Sequence, residues 1–125
     1  MIRKVSTDRA PAAIGPYSQA VKAGNMVFVS GQIPVDPATG EFPEDICDQA
    51  RQAFTNLRNV LEAAGTGMDS VVRTTVFLTD LSAFGKVNEI YAEFFSETYP
   101  SRSCVQVAAL PKGVGIEIDA IAITE

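Results

Sequence analysis

Two short segments near the end of the chain carry the residue types best suited to chemistry. Residues 100–107 read PSRSCVQV and contain Arg102, and residues 116–120 read IEIDA and contain Glu117. The sequence contains no histidine, so the commonest general base and metal ligand is absent. Any reaction must therefore depend on the arginine, carboxylates, hydroxyls, a thiol, backbone groups and water.

The other polar candidates each have a more ordinary explanation. Cys104 has no histidine to activate its thiol, so it is expected to be a small buried residue rather than a nucleophile. Tyr17 follows a proline and is typical of an aromatic side chain that packs, and Ser30 before Gly31 could simply end a strand. The aspartates are scattered singly without the spacing of metal ligands, so no metal site is predicted.

Length, charge and cysteine content limit the class of protein. With 125 residues the chain should form one domain over residues 1–125. Its net charge of −5 and the absence of a basic run argue against nucleic acid as a partner. Two cysteines without a CxxC pattern favour reduced thiols, and no apolar segment is long enough for a signal peptide or a membrane span. A cytoplasmic protein that does not contact a membrane is therefore expected.

Hydrophobic periodicity predicts an α+β domain with the order β-β-α-β-α-β-β and two helices on one face of the sheet. The first 17 residues, broken by prolines and a glycine, are interpreted mostly as loop. The turn Gly24-Asn25 between apolar runs is typical of a hairpin, and Asp80 or Ser82 is expected to cap the second helix. Strands are predicted at residues 18–23, 26–30 and 71–78, and the first helix at residues 46–64. The second helix should end before Pro100, and the two strands with Arg102 and Glu117 follow it.

The strands carry apolar residues on both faces of the predicted sheet. In the last strand, Ile116 and Ile118 point to one face, whereas Ile121 and Ile123 point to the other. Two helices can cover only one face, so the second face predicts a homo-oligomer. The alternative is a monomer whose N-terminal loop covers that face. In the strand predicted at residues 71–78, the side chains of Val72, Val76 and Leu78 are expected on one face and those of Val71 and Phe77 on the other.

The same alternation assigns Arg102 and Glu117 to the uncovered face. Val105 and Val107 are expected to face the helices, which directs Arg102 to the opposite side. Glu117 follows because its neighbour Ile116 belongs with the helices. The two side chains would then form a polar group at a subunit boundary, and the alternative explanation is a structural ion pair.

Five segments of the chain form a recognisable set of motifs: APAAIGPYS from Ala10, FVSGQIPV from Phe28, TTVFLTDL from Thr74, PSRSCV from Pro100 and IEIDAIA from Ile116. Together they resemble the Rid family, the reactive intermediate deaminases formerly called YjgF-like proteins, and most closely its RidA subgroup. The resemblance covers nearly the whole chain. Its most discriminating element is the arginine segment, because family members without this arginine are thought to lack the activity.

The resemblance implies a chorismate-mutase-like α+β fold with a mixed sheet that forms a homotrimer, with one site in each cleft between subunits. It also implies hydrolysis of 2-imino acids, such as 2-iminobutanoate and 2-iminopropanoate, to 2-oxo acids and ammonia. Pyridoxal-phosphate enzymes release such imines and would supply the substrate. By position, Arg102 corresponds to the carboxylate-binding arginine and Glu117 to the acidic residue that holds the attacking water. The other pocket positions correspond to Tyr17, Ser30, Gly31 and the backbone of Cys104.

Imines hydrolyse readily, so positioning and one base should suffice and no cofactor is expected. The sequence departs from close relatives at Gln106 and Ala109, where glutamate and arginine are frequent, which leaves substrate size and interface charge open. Two other functions also stay open: binding of a small carboxylate without turnover, and a chaperone or RNA-directed activity of the kind ascribed to some relatives. The acidic charge argues against RNA.

Overall fold

The computed structural model describes residues 1–95 and 98–124. The regular elements within these residues are β1 (Ile2–Val5), β2 (Ala20–Ala23), β3 (Met26–Gln32), α1 (Ile46–Ala63), β4 (Val71–Leu78), α2 (Phe84–Phe94), β5 (Ser101–Gln106) and β6 (Ile116–Ile123). The strands form one mixed sheet in the order β1-β2-β3-β6-β4-β5, in which only β4 and β5 are parallel neighbours. The predicted α+β class is confirmed.

Helix α1 begins at a side-chain cap and ends at a glycine. The Asp45 carboxylate accepts hydrogen bonds from the backbone N–H groups of Cys47 at 3.0 Å and Asp48 at 3.1 Å, which satisfies donors that have no partner within the helix. Gly65 follows the helix with a φ of 85°, a left-handed conformation that glycine adopts easily. The helix predicted over residues 46–64 is therefore confirmed to within one residue.

The start of α2 is attached to the neighbouring edge strand. The Asp80 carboxylate accepts a hydrogen bond from the backbone N–H of Ser82 at 3.0 Å, so Asp80 caps a short 3₁₀ turn at Leu81–Ala83 that leads into α2. The Gln106 side chain on β5 accepts a hydrogen bond from the Leu81 N–H at 2.8 Å. This hydrogen bond links the turn that leads into α2 to β5, the strand that carries Arg102.

Both helices cover the same face of the sheet, and the opposite face remains partly apolar. Val27 and Ile118 point towards the helices and are fully buried. On the other face, Phe28, Val105 and Ile123 are 39%, 42% and 41% exposed. The N-terminal loop leaves these side chains exposed, so it does not cover this face as the second alternative predicted.

Two local features differ from the prediction. Residues 2–5 form β1, which pairs with β2, so the opening segment is not loop throughout. In β4 the register with β6 shifts between Val71 and Arg73. This irregularity directs Val71 into the core and leaves Val72 44% exposed, which reverses their predicted faces. The rest of the strand follows the prediction, with Val76 and Leu78 buried and Phe77 on the open face.

No helix in residues 1–95 and 98–124 combines the length and the apolar character needed to cross a membrane.

Candidate functional site

A cavity of about 830 Å³ lies beside Glu117. Its wall is formed by the N-terminal loop, the end of β3 with the segment that follows, and the turn before β6. Four of the predicted site residues line this cavity together: Tyr17, Ser30, Gly31 and Glu117. Much of the remaining wall is apolar and includes Pro11, Ile14, Ile33, Val35, Pro37 and Pro111.

Gln19 fixes the N-terminal loop that forms one side of the cavity. This buried side chain on the approach to β2 donates hydrogen bonds to the backbone carbonyls of Thr7 at 3.0 Å and Pro11 at 2.7 Å. Its carbonyl oxygen accepts from the Thr7 N–H at 2.7 Å. Backbone groups of a segment without regular structure thereby have hydrogen-bond partners inside the protein.

Asn56 fixes the opposite side of the cavity from within α1. The side chain is fully buried and donates to the carbonyls of Ile33 and Val35, both at 2.9 Å. Its oxygen accepts a hydrogen bond from Gln52 at 2.9 Å. Neither Gln19 nor Asn56 was identified from the sequence. For Asn56 the available signal was a polar residue beside the apolar stripe of a helix, which indicates a buried group with a specific partner.

Glu117 is a partly buried carboxylate whose charged form is disfavoured. Burial raises the pKa of the Glu117 carboxyl above its usual 4.5, and the negative charge of Asp119 on the same face raises it further. A carboxylate in this state accepts a proton more readily near neutral pH than an exposed glutamate does. Glu117 is therefore suited to act as a general base.

Gly31 leaves the space that the Glu117 carboxylate occupies. A Cβ atom built on Gly31 would overlap the carboxylate and lie 2.7 Å from the Glu117 Cδ. The backbone at Gly31 does not require a left-handed conformation, so the glycine is needed for space rather than for its φ angle. The neighbouring Ser30 donates its hydroxyl to the carbonyl of Ser18 at 2.6 Å, and the Tyr17 ring is 51% exposed at the cavity edge.

Arg102 lies in a different concavity, which α2 and the edge strand β5 form with the residues before it. Its Nη1 donates a hydrogen bond to the Asn88 side-chain oxygen at 2.8 Å. The guanidinium carbon is 4.7 Å from the centre of the Tyr91 ring and 5.3 Å from that of the Phe84 ring. No ion pair within 4.0 Å holds this guanidinium among residues 1–95 and 98–124. Its remaining donors are thus suited to a ligand carboxylate, which a planar guanidinium can bind through two parallel hydrogen bonds.

Cys104 is two residues farther along β5, opposite Val76 of β4, and packs against the core. Burial raises the pKa of the Cys104 thiol, and the nearby positive charge of Arg102 opposes this effect only in part. A thiol with a raised pKa is a poor nucleophile at neutral pH. The position and pKa support the prediction of a small packed residue.

The prediction that Arg102 and Glu117 share the uncovered face is wrong. Arg102 is opposite Thr74, whose buried hydroxyl bonds to Tyr91 of α2, so this row of side chains faces the helices. Glu117 is opposite Phe77 on the other face. The prediction failed because Val105 was expected to face the helices, whereas it points to an open face that is itself apolar. Within one chain the two charged groups therefore lie on opposite sides of the sheet.

Sequence reasoning also missed the residues that surround Arg102. Phe84, Asn88 and Tyr91 are spaced by four and three residues, which places them on one face of a helix. Tyr91 also lies at an apolar position of this helix, so periodicity alone interprets it as a core residue. A polar residue between two aromatic residues on one helix face was the signal for a contact with a charged group.

Comparisons with known proteins agree with the resemblance of the motifs. A family model described as endoribonuclease L-PSP matches residues 7–124. The chain is 54% identical to the 2-iminobutanoate/2-iminopropanoate deaminase of Escherichia coli strain K12, over 98% of each chain.

Two crystal structures resemble the fold closely. The structure of TdcF from Escherichia coli with bound serine has a TM-score of 0.95 at 53% identity, over 98% of this chain and 99% of that chain. RidA from an Antarctic Psychrobacter species has a TM-score of 0.94 at 50% identity, over 97% of this chain and 98% of that chain. The chain therefore belongs to the endoribonuclease L-PSP family, which is the Rid or YjgF-like family that its motifs resemble.

Proposed function

We propose that this chain hydrolyses small 2-imino acids, such as 2-iminobutanoate and 2-iminopropanoate, to 2-oxo acids and ammonia. The observation that carries the proposal is the pair of half-sites: Arg102 supplies donors for a carboxylate, and Glu117 supplies a base with a raised pKa in a largely apolar cavity. The Escherichia coli relative at 54% identity is named for this reaction, which supports the same assignment.

The two half-sites act together only if two copies of the chain meet. Arg102 faces the helices at the edge of the sheet, whereas Glu117 lies on the open face. That open face exposes apolar side chains, including Phe28 and Val105, which a neighbouring copy would bury. We therefore propose a homotrimer in which each cleft combines the Arg102 half-site of one copy with the Glu117 cavity of the next.

Arg102 is proposed to bind the substrate carboxylate. Asn88 and the two aromatic rings hold the guanidinium from one side, and its free N–H groups would form a bidentate contact with the two carboxylate oxygens. The backbone N–H of Cys104, two residues along the edge strand, would assist. A substrate anchored at its carboxylate presents its C=N carbon at a fixed distance from the Glu117 cavity, which converts hydrolysis into a reaction between positioned groups.

Glu117 is proposed to activate the attacking water. As the water oxygen bonds to the carbon of the protonated imine, Glu117 takes one water proton and the C=N electron pair moves to nitrogen, which gives a carbinolamine. Glu117 then returns its proton to the amino nitrogen and the C–N bond breaks with loss of ammonia. The hydroxyl oxygen forms the C=O bond of the 2-oxo acid and releases its own proton. Tyr17, Ser30 and Gly31 form the wall that encloses this step.

The reaction consumes only water, so the proposal requires neither a cofactor nor a metal. Its substrates would come from pyridoxal-phosphate enzymes that release enamines or imines. A cytoplasmic location is part of the proposal, since two free cysteines are typical of a reducing compartment.

Binding of a small carboxylate without turnover is the second candidate function. The structure of TdcF with bound serine favours it, because serine presents the same carboxylate to a relative of this chain. An RNA-directed function is less well supported, because a net charge of −5 repels a phosphate backbone. Only imine disappearance separates hydrolysis from simple binding.

The test is an assay in which threonine dehydratase generates 2-iminobutanoate and the rate of 2-oxobutanoate formation is followed with and without this chain. The parent should accelerate hydrolysis, and Arg102→Ala should reduce the acceleration by about 100-fold or more, as expected when a positioned carboxylate is lost. Arg58→Ala is the matched control, because Arg58 also lies over an aromatic ring of α2, 5.5 Å from the centre of Phe94. Full activity of a folded Arg102→Ala would contradict the proposal.

The role of Glu117 is tested separately. Glu117→Gln should lower kcat more than it raises the dissociation constant of a 2-oxo acid, because the amide keeps the shape of the cavity but cannot accept a proton. Equal loss of binding and turnover would make Glu117 a binding residue only.

A further inference from the structure

Two aromatic side chains and one amide of α2 contact the Arg102 guanidinium. The Tyr91 and Phe84 rings lie 4.7 Å and 5.3 Å from the guanidinium carbon, within the range in which a cation is attracted to a ring face. Asn88 adds a hydrogen bond of 2.8 Å to Nη1. These three contacts come from one face of α2, so the direction of the guanidinium depends on how that helix face is held.

Tyr91 is the most constrained of these side chains. Its hydroxyl forms a hydrogen bond of 2.8 Å with the hydroxyl of Thr74, and Thr74 is the register partner of Arg102 on the adjacent strand. The Tyr91 ring also contacts Phe54 edge-on at 5.8 Å and Phe95 at 4.3 Å between ring centres. Held at its hydroxyl and on its ring, Tyr91 cannot rotate without breaking buried contacts.

The Tyr91 hydroxyl remains protonated while it holds this position. Burial raises the pKa of the Tyr91 phenol above its usual 10, and the hydrogen bond with Thr74 and the positive charge of Arg102 oppose this only in part. A neutral phenol therefore stands beside Arg102, and the arginine keeps its charge available for a ligand instead of pairing with a phenolate.

We infer that Tyr91, anchored by Thr74 and assisted by Phe84, is a positioning residue that sets the plane of the Arg102 guanidinium for the substrate carboxylate. The inference rests on the proposed function and adds to it a chain of contacts from the buried sheet to the ligand. It differs from a purely structural role of Tyr91, in which the ring would stabilise the fold without influencing ligand affinity.

The experiment measures the dissociation constant of 2-oxobutanoate by calorimetry, together with KM and kcat in the threonine dehydratase assay. The double variant Thr74→Val/Tyr91→Phe removes both hydroxyls, keeps the ring and leaves no unpaired buried group. Phe84→Leu removes a ring that is 37% exposed, so that variant should fold. Each should raise KM and the dissociation constant by about 3- to 10-fold, the range expected for a cation–π contact or an orienting hydrogen bond.

Two comparisons exclude a general loosening of the protein. Phe94→Leu is the matched control, because Phe94 lies on the same helix, contacts Phe54 at 5.5 Å and supports Arg58 rather than Arg102. It should leave the dissociation constant unchanged within a factor of about two, a spread below the energy of one such contact. In an Arg102→Lys background the Thr74/Tyr91 double variant should have no further effect, because an ammonium group has no plane to orient.

Three results would overturn the inference. The first is an unchanged affinity for 2-oxobutanoate in both the Thr74/Tyr91 and the Phe84 variants. The second is an equal loss of affinity when the Thr74/Tyr91 substitutions are made in the parent and in the Arg102→Lys variant, which indicates a structural role. Absence of both hydrolysis and 2-oxobutanoate binding in the parent would overturn the proposed function and the inference together. A parent that binds without hydrolysing, and whose affinity depends on Tyr91 as described, would support the inference while contradicting the proposed function.

Discussion

Substitution of Gly31 by alanine should inactivate the site while the fold remains intact. The added Cβ would lie 2.7 Å from the Cδ and 3.1 Å from the Cγ of Glu117. Carbon atoms in contact are about 3.5–4.0 Å apart, so the carboxylate must move by roughly 1 Å. A displacement of that size in a reacting group costs about 100-fold in rate. We therefore expect kcat for 2-iminobutanoate to fall by about this factor.

The stability of the Gly31→Ala variant should change little, because the atom that must move belongs to a flexible side chain at a partly exposed position. Thermal unfolding monitored by circular dichroism should show a transition close to that of the parent, while the threonine dehydratase assay shows the loss of activity. Gly67→Ala is the matched control: Gly67 has an extended φ of −156° and no atom within 4 Å of an added Cβ. It should keep the activity of the parent.

A second measurement separates this explanation from direct contact between Gly31 and the substrate. In a Glu117→Ala background there is no longer a carboxylate to displace, so the Gly31 substitution should have no further effect on the residual rate. A Gly31→Ala variant with more than half of the parent activity would refute the reasoning, as would an additional loss in the Glu117→Ala background.

Two further predictions concern the groups around the cavity. Asn56→Ala should destabilise the protein by about 2–4 kcal/mol and raise KM, since the carbonyls of Ile33 and Val35 lose a fully buried donor. Asn59→Ala, at a partly exposed position on the same helix where the side chain donates to the carbonyl of Arg9, should cost less than about 1 kcal/mol. Equal losses in denaturant unfolding would contradict the role of burial. Asp119→Asn should move the acidic limb of the kcat/KM pH profile to lower pH. The Asp119 charge contributes to the raised pKa of Glu117, so removal of that charge lowers the Glu117 pKa. A limb that stays in place, or that moves to higher pH, would show that Glu117 does not control the acidic limb.

The elements of the fold could be predicted because their signals are local. The apolar stripe of α1, the glycine that follows this helix and the β-branched run of β4 each depend on residues close in sequence. The open apolar face was also predictable, since the alternation of residues in β6 survives in the structure. The bulge at Val71 was not, because a one-residue register shift depends on the neighbouring strand.

The motifs predicted which residues form the site, but only part of its geometry. The motifs identified Arg102, Glu117, Tyr17, Ser30 and Gly31, and four of these line one cavity. The face of Arg102 could not be derived, because both faces of this sheet carry apolar residues and hydrophobicity therefore does not distinguish them.

The supporting residues of the site were also beyond prediction, for a different reason. The bonds of Asn88 to Arg102 and of Asn56 to Ile33 join residues 14 and 23 positions apart. Such contacts depend on how helices dock on the sheet, which periodicity does not report. Polar residues beside an apolar helix stripe are the signal that remains available in a sequence of this kind.

The most direct test of the central claim is a mixture of two inactive variants, Arg102→Ala and Glu117→Gln, unfolded together and refolded as mixed oligomers. In a closed ring where each site takes Arg102 from one copy and Glu117 from its neighbour, random assembly of equal amounts should restore about one quarter of the parent sites. Recovery of activity near that level is expected in the threonine dehydratase assay. Activity no greater than that of the two variants assayed separately, with mixed oligomers demonstrated by mass spectrometry, would contradict the account.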